Sequence, residues 1–334
     1  MNTIKQLVQE ALEKRSELFC KLEQEQTDCY RLFHGTAEGM PGVTMDRYGD
    51  QLLLQSFHST LTSGDQQALI DGATEHFSAE DVIYNDRSAA NSRRADEKLN
   101  SSRESDCHEL GVRYLVRGKH SGQDPLLFLD MRAGRRFIKG NANGKSVLNL
   151  FSYTCGVGIC ASKYGASKVC NVDFAERNLA VGERNLELNQ LDPDTVEFFK
   201  SDYFTAIKQM SGIEIRQRVR RGQKPKRYPK AEQQQFDLVY LDPPRWAKSA
   251  FGTVDLIRDY QSLLKPAALT VADGGQLICT NNVGKVTFDE WQEQVLRCCD
   301  KAGRPVKSFE RLVPDSDFPT LDGQHPLKML ILSF

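Results

Sequence analysis

The sequence predicts an α/β protein: a doubly wound, mostly parallel sheet with an antiparallel last strand, preceded by a small α+β domain. Three observations lead there. After Asp124-Pro125 apolar strand-like runs alternate with amphipathic helical runs, a rhythm that places helices on both faces of a parallel sheet. Two strand-like runs, Val306–Val313 and Lys328–Phe334, close the chain with no helix between them, which suits an antiparallel edge strand. The first 120 or so residues follow a different pattern, with turn clusters between short strands.

Taken in order, Thr3–Gln26 reads as one amphipathic helix, with Ile4, Leu7, Val8, Ala11, Leu12, Leu18, Phe19 and Leu22 largely on one face. Val43–Met45 and Gln51–Phe57 read as strands around Tyr48-Gly49-Asp50, Asp65–Phe77 as a helix and Asp81–Tyr84 as a strand. Asn85–Leu110 is polar and reads as irregular. Then come strand Lys145–Tyr153, helix Val157–Tyr164, strand Lys168–Phe174, helix Ala175–Asn189 and strands Val196–Lys200 and Phe236–Leu241. Val254–Ala272 reads as mostly helix, Gln276–Asn281 as a strand and Phe288–Ala302 as a helix. The division is a helix over 1–28, the small α+β domain over 29–122, a candidate for RNA contact, and the doubly wound domain over 123–334.

Composition narrows the function classes. At 40% hydrophobic and 27% charged the chain suits a soluble protein. No apolar run is long enough to span a membrane, and Lys5, Glu10, Glu13, Lys14 and Arg15 interrupt any signal-peptide core. The expected location is the cytoplasm, where the nine cysteines remain reduced. They form no CxxC and no Cys/His cluster at zinc spacing, so no metal is expected. The net charge of −1 hides a basic stretch, Ile215–Lys230, with eight basic residues and no acidic one, able to guide an anionic partner.

In such a sheet ligands bind beyond the carboxyl ends of the strands. Four strand ends carry chemistry. Asn149–Gly158 leaves the first strand through small residues into a helix N-terminus, which serves as a strand-to-helix turn or as a ligand bed; its candidates are Asn149, Phe151, Tyr153, Thr154 and Gly156. Asp173, followed by Phe174, can accept both hydroxyls of a ribose and can also cap the next helix. Asp202, followed by Tyr203, can bind an adenine amino group or cap a helix. Asp242-Pro243-Pro244-Arg245-Trp246 makes a rigid loop: Asp242 can accept from a base N–H, and Trp246 can stack on a base. Together the four fit one nucleoside-bearing molecule and an acceptor. A nicotinamide enzyme would need Gly-x-Gly-x-x-Gly after the first strand, which Thr154–Ala161 does not supply.

At these residues the chain resembles the bacterial large-subunit rRNA methyltransferases that include the 23S cytosine-C5 enzyme and the guanine-N7 half of a bifunctional enzyme. The shared strings are Arg31-Leu32, Gly39-Met40-Pro41-Gly42, Asp46-Arg47-Tyr48, Phe128–Arg132 with Arg135-Arg136, Leu148–Thr154, Asn185–Asn189 and Asp242-Pro243-Pro244. The likeness runs over about residues 30–334. It implies a Rossmann-like class I methyltransferase fold, S-adenosylmethionine as donor and 23S rRNA as acceptor. Asp242, Pro243, Pro244 and Trp246 are then the catalytic candidates, and Arg132, Arg135, Arg136 and Arg245 the phosphate contacts.

Three departures matter. The family has Gly where Cys155 stands, and Cys does not enter positive φ as Gly does, so a slightly different turn is expected. The cytosine-C5 branch needs a nucleophilic Cys in a Ser-Cys-Ser context after the fifth strand; here the place reads Thr280-Asn281-Asn282, as in the guanine-N7 branch. The family's upstream RNA-binding domain is expected to be replaced by the N-terminal helix, with Arg216–Lys230 supplying RNA affinity. The expectation is methyl transfer to a base nitrogen, guanine N7 foremost. Cytosine C5, a protein or a small molecule are the alternative acceptors.

Overall fold

The computed structural model describes residues 2–75, 77–88, 103–118, 124–215, 227–249, 252–257 and 259–334, with backbone alone at 246–249 and 252–254. The chain divides into two compact units, Met1–Ala133 with Pro314–Gln324, and Gly134–Val313 with His325–Phe334.

In the first unit, helices α1 (Ile4–Lys14) and α2 (Ser16–Gln24) replace the single expected helix. Thr3 starts α1 with a capping box closed by Gln6. The break falls at Arg15, whose side chain is buried and donates to the Ala11 carbonyl and to Glu38. Strands β1 (Cys29–His34), β2 (Val43–Tyr48), β3 (Gln51–Ser56) and β4 (Asp81–Asp86) form one sheet in that order. A one-turn helix, α3 (Gly35–Glu38), lies between β1 and β2. Helix α4 (Ser63–Thr74) makes the crossover that lets β4 run parallel to β3. Val8, Leu12, Leu69 and Ala73 of the helices pack with Leu32, Met45 and Leu54 of the sheet.

The polar segment Asn85–Leu110 also contains a strand, β5 (Ser105–Glu109), where irregular chain is expected, and it forms a hairpin with β6 (Val112–Val116) just beyond; residues 89–102 lie outside the described residues. Leu110 and Gly111 both have positive φ, 57° and 79°, as a two-residue primed turn requires. Only Cys107 supplies an apolar side chain in β5, which hides the strand from pattern reading.

The second unit is the expected α/β layer. Helix α5 (Arg132–Asn141) precedes β7 (Ser146–Leu150), α6 (Gly156–Lys163), β8 (Lys168–Asp173), α7 (Glu176–Leu188), β9 (Val196–Lys200), α8 (Tyr203–Met210) and β10 (Phe236–Leu241). Next come β11 (Trp246–Ser249), β12 (Gly252–Asp255), α9 (Tyr260–Leu269), β13 (Val271–Asn281), α10 (Phe288–Lys301), β14 (Ser308–Leu312) and β15 (Lys328–Ser333). The sheet order is β14-β15-β13-β10-β7-β8-β9. The last strand is antiparallel to β13, as expected, but it is not the edge: β14 lies outside it and pairs antiparallel with it. The expected helix Val254–Ala272 is also corrected. A hairpin, β11 with β12, occupies its start, and the helix begins only at Tyr260.

One continuous core joins Leu148, Leu150, Val239 and Leu241 of the sheet to Ile207, Tyr260, Leu264 and Trp291 of the helices. Sequential strands reverse direction across the sheet between β7 and β10, the switch point where such folds hold ligands. All nine cysteines are free, and only Cys20 is exposed.

Candidate active site

The turn after β7 is the most constrained backbone in the unit. Phe151, Tyr153 and Cys155 all adopt left-handed conformations, with φ of 58°, 49° and 64°. Each costs roughly 1–2 kcal/mol for a side-chain-bearing residue, so surrounding groups must impose them. They are identifiable. The Ser152 amide donates to the Val172 carbonyl at 3.0 Å. The Tyr153 amide donates to Asp173 Oδ2 at 2.9 Å. Asn185 Nδ2 donates to the Thr154 carbonyl at 3.3 Å. Cys155 is fully buried in a notch made by Gly182, where an added Cβ would lie 2.5 Å from its Sγ. The expected effect of Cys155 is thereby corrected: the cysteine itself takes the left-handed conformation, with φ of 64°. The Asn185–Asn189 string gains a role as well, since Asn185 pins the turn and Asn189 Nδ2 donates to the Asn185 carbonyl at 2.8 Å.

Asp173 ends β8 with both carboxylate oxygens engaged, Oδ2 by Tyr153 and Oδ1 by the Ala175 amide at 2.8 Å. Burial raises its pKa, while those backbone N–H groups act against the rise. Oδ1 also accepts from Asn178 Nδ2 at 3.5 Å, so the lone-pair capacity for a further donor lies on Oδ2. Beside it Phe174 is 66% exposed, an apolar ring at the mouth of the site.

Several other candidates are used inside the fold. Asn149 is buried and its Nδ2 donates to Asn171 Oδ1 at 2.9 Å, tying β7 to β8. Gly158 makes room for that pair, because a Cβ there would lie 2.0 Å from Asn171 Oδ1. Thr154 is buried, and Gly156 is the first residue of α6. Tyr203 is buried, stacks on Phe151 at 4.7 Å and donates its hydroxyl to the Leu263 carbonyl. Asp202 caps α8 by accepting from the Thr205 amide at 3.1 Å, the capping role named as one of its two readings.

Asp242 emerges from β10 next to β13. Thr280 donates its hydroxyl to Asp242 Oδ1, and the Thr280 carbonyl accepts from the Tyr260 hydroxyl at 2.8 Å. The chain Tyr260–Thr280–Asp242 therefore aims the carboxylate, a role no sequence signal assigned to Thr280. Pro243 is buried, while Pro244 and Arg245 are exposed. The side chain of Trp246 lies outside the described residues, as does most of Arg216–Lys230. Cys279 lies within β13, fully buried, and burial pushes its thiol well above the ordinary range.

Two of the four expected phosphate contacts are corrected. Arg132 is fully buried and bound to Asp315 and Asp317, and Arg135 is 3% exposed. The Arg132 guanidinium, committed to carboxylates, has no face to offer a phosphate, and burial keeps Arg135 from one. Arg136 is partly exposed and Arg245 exposed.

Comparison with known proteins agrees with this geometry. The sequence pattern of the S-adenosylmethionine-dependent methyltransferase family matches residues 53–219, half of the chain. The chain is 28% identical over 304 residues to "Ribosomal RNA large subunit methyltransferase I" of Shigella flexneri serotype 5b, covering 88% of this chain and 71% of the relative. The protein of the same name from Escherichia coli O157:H7 gives the same identity and coverage. Among solved structures, a methyltransferase crystallised with SAH superposes with a TM-score of 0.79 at 20% identity, covering 99% of this chain and 81% of that one. A SAM-dependent methyltransferase from Streptococcus mutans gives 0.76 at 22%, with the same coverage. Among the described residues no helix is long and apolar enough to cross a membrane.

Proposed function

This chain belongs to the S-adenosylmethionine-dependent methyltransferases, and from that premise we propose that it methylates a nitrogen of a base in large-subunit rRNA, guanine N7 foremost. The observation that carries the choice of nitrogen is the carboxyl end of β13. Carbon 5 of a pyrimidine needs a thiolate to add to the ring first. The strand instead ends in Thr280-Asn281, and its one thiol, Cys279, is buried with its proton held firmly. Guanine N7 has a lone pair ready for in-line attack, so the residues need only align the two partners. The names of the Shigella and Escherichia relatives support RNA of the large subunit as the acceptor.

The residues at hand suit the donor. Asp173 keeps acceptor capacity for ribose hydroxyls, Phe174 offers an exposed ring to the adenine, and the left-handed turn Phe151–Cys155 brings backbone close to the methionine end. When bound, the donor supplies an electrophilic methyl on a sulfonium. Asp242, aimed by Thr280, accepts from the N–H groups of the base and sets its angle of approach. Pro243 and Pro244 fix the loop that carries it. Arg245 and Arg136 are the phosphate contacts left on the surface.

The test is incubation with tritiated S-adenosylmethionine and rRNA from a strain lacking the gene. Label in large-subunit RNA, released on digestion as 7-methylguanosine, is expected. No label in any RNA would end the RNA reading, and label at cytosine C5 would end the nitrogen reading.

A further inference from the structure

Lys328 opens β15, yet it is only 4% exposed. Its neighbours Met329, Leu330, Ile331 and Leu332 are buried apolar residues, and any of those types would suit the position by packing alone. The ammonium donates to two carbonyls, Val283 at 2.9 Å and Pro326 at 2.8 Å. No carboxylate pairs with it among the described residues, and burial alone lowers its pKa to about 8. A buried cation without a counter-charge opposes folding. Its presence calls for a gain elsewhere.

The gain lies in what it holds. In the sheet register Lys328 faces Asn281, the last residue of β13. Asn281 Oδ1 accepts from the Val283 amide at 2.9 Å, so Asn281 and Lys328 grip the N–H and C=O groups of the same residue. Asn281 is fully buried, with its Nδ2 unpartnered. One residue earlier, Thr280 donates to Asp242. The chain leaving β13 is thus fixed at Thr280, Asn281 and Val283 in succession, beside the carboxylate placed at the acceptor.

We infer that Lys328 is a positioning residue for methyl transfer, holding the segment after β13 through Val283 so that Thr280 and Asp242 meet the acceptor base correctly. The inference rests on the acceptor site proposed above. Its mark is a split between stability and activity, because removing an unpaired buried charge relieves the fold while loosening the site.

The experiment compares the full-length wild type with Lys328→Met and Lys328→Gln. For Lys328→Met we expect kcat to fall at least tenfold, the Kd for S-adenosylhomocysteine to stay within twofold, and Tm to be equal or higher. Hydrogen exchange of a peptide spanning residues 281–287 should be faster. Lys328→Gln, which keeps an N–H donor without the charge, should recover part of kcat. A kcat within twofold of wild type overturns the inference. So does a lowered Tm with kcat per folded molecule unchanged, the pattern of a merely structural residue, and so does unchanged exchange at 281–287. If the wild type labels no RNA, the substrate reading fails by itself; the exchange arm, which uses no RNA, still decides Lys328.

Discussion

Arg132 and Asp317, 185 residues apart in the chain, meet in a two-point ion pair, Nη1 to Oδ1 at 3.3 Å and Nη2 to Oδ2 at 3.0 Å. Neither side chain touches solvent. Asp317 also accepts from the Arg31 amide at 3.0 Å, and its carbonyl accepts from Arg15 Nη2 at 3.3 Å. Removing the sole partner of a buried charge costs about 3–5 kcal/mol, but Arg132 keeps Asp315 at 2.9 Å and Glu109 at 3.5 Å. Asp317→Asn should therefore lower the urea midpoint of unfolding by less than that equivalent. Methyl transfer per folded molecule should stay near wild type, as Asp317 touches nothing in the proposed reaction.

His34 gives the same unit a pH dependence. Burial, with help from the Arg31 guanidinium whose Nη1 lies 3.0 Å from its Nδ1, lowers its pKa to about 4. Between the ordinary value of 6.5 and 4 the unfolded chain therefore binds a proton that the folded chain does not. Stability from this source is whole above 6.5 and falls as pH drops through that window. Thermal melts from pH 7 to 4 should show a steeper loss of Tm for wild type than for His34→Gln. Parallel slopes would show that the folded imidazole takes up its proton as readily as the unfolded one.

Asp173 holds the Tyr153 and Ala175 amides at once, and as the proposed acceptor for the ribose hydroxyls its loss should also weaken donor binding. For Asp173→Ala we expect at least a tenfold rise in the Kd for S-adenosylmethionine by calorimetry, the size of one or two lost charge-assisted hydrogen bonds. Overall unfolding should shift by only about 1–2 kcal/mol. A Kd unchanged within twofold would remove Asp173 from the donor site.

Gly182 and Cys155 form a testable pair. Gly182→Ala drives a Cβ to within 2.5 Å of Cys155 Sγ and 2.9 Å of Phe198, and overpacking of this kind costs about 1–3 kcal/mol. In a Cys155→Gly background the sulfur is gone and Phe198 remains, so the cost of the alanine should shrink without vanishing. Equal costs in the two backgrounds would show that Cys155 does not set the notch.

The second unit was largely legible because its inner strands are buried on both faces and read as apolar runs, Phe236–Leu241 above all. The acidic strand ends could be picked out for the same reason: Asp173 and Asp242 interrupt those runs where the chain turns. What sequence did not reveal was decided by pairing partners, some next along the chain and some distant. Strand β5 carries one apolar residue and exists through its pairing with β6. The hairpin that pairs Trp246 with Asp255 takes Val254 and Asp255 away from the start of the expected helix. Arg132 resembles an RNA contact until Asp315 and Asp317 come back to it from near the other end of the chain. Thr280 and Lys328 gain meaning only from neighbours on adjacent strands, Asp242 and Asn281. Charge type and spacing name the candidates, and burial separates those that can reach a ligand from those that hold the frame.

The membership of Pro314–Gln324 in the first unit sets an order on biosynthesis. A ribosome delivers Arg15, Arg31 and Arg132 well before Asp317 exists. Until residue 317 has left the exit tunnel, the nascent N-terminal unit lacks the residue whose carboxylate accepts from the Arg132 guanidinium and the Arg31 amide and whose carbonyl accepts from Arg15. Chain cut at 133 would carry that deficit permanently, so the unit is completed only after the intervening residues 134–313 have been made.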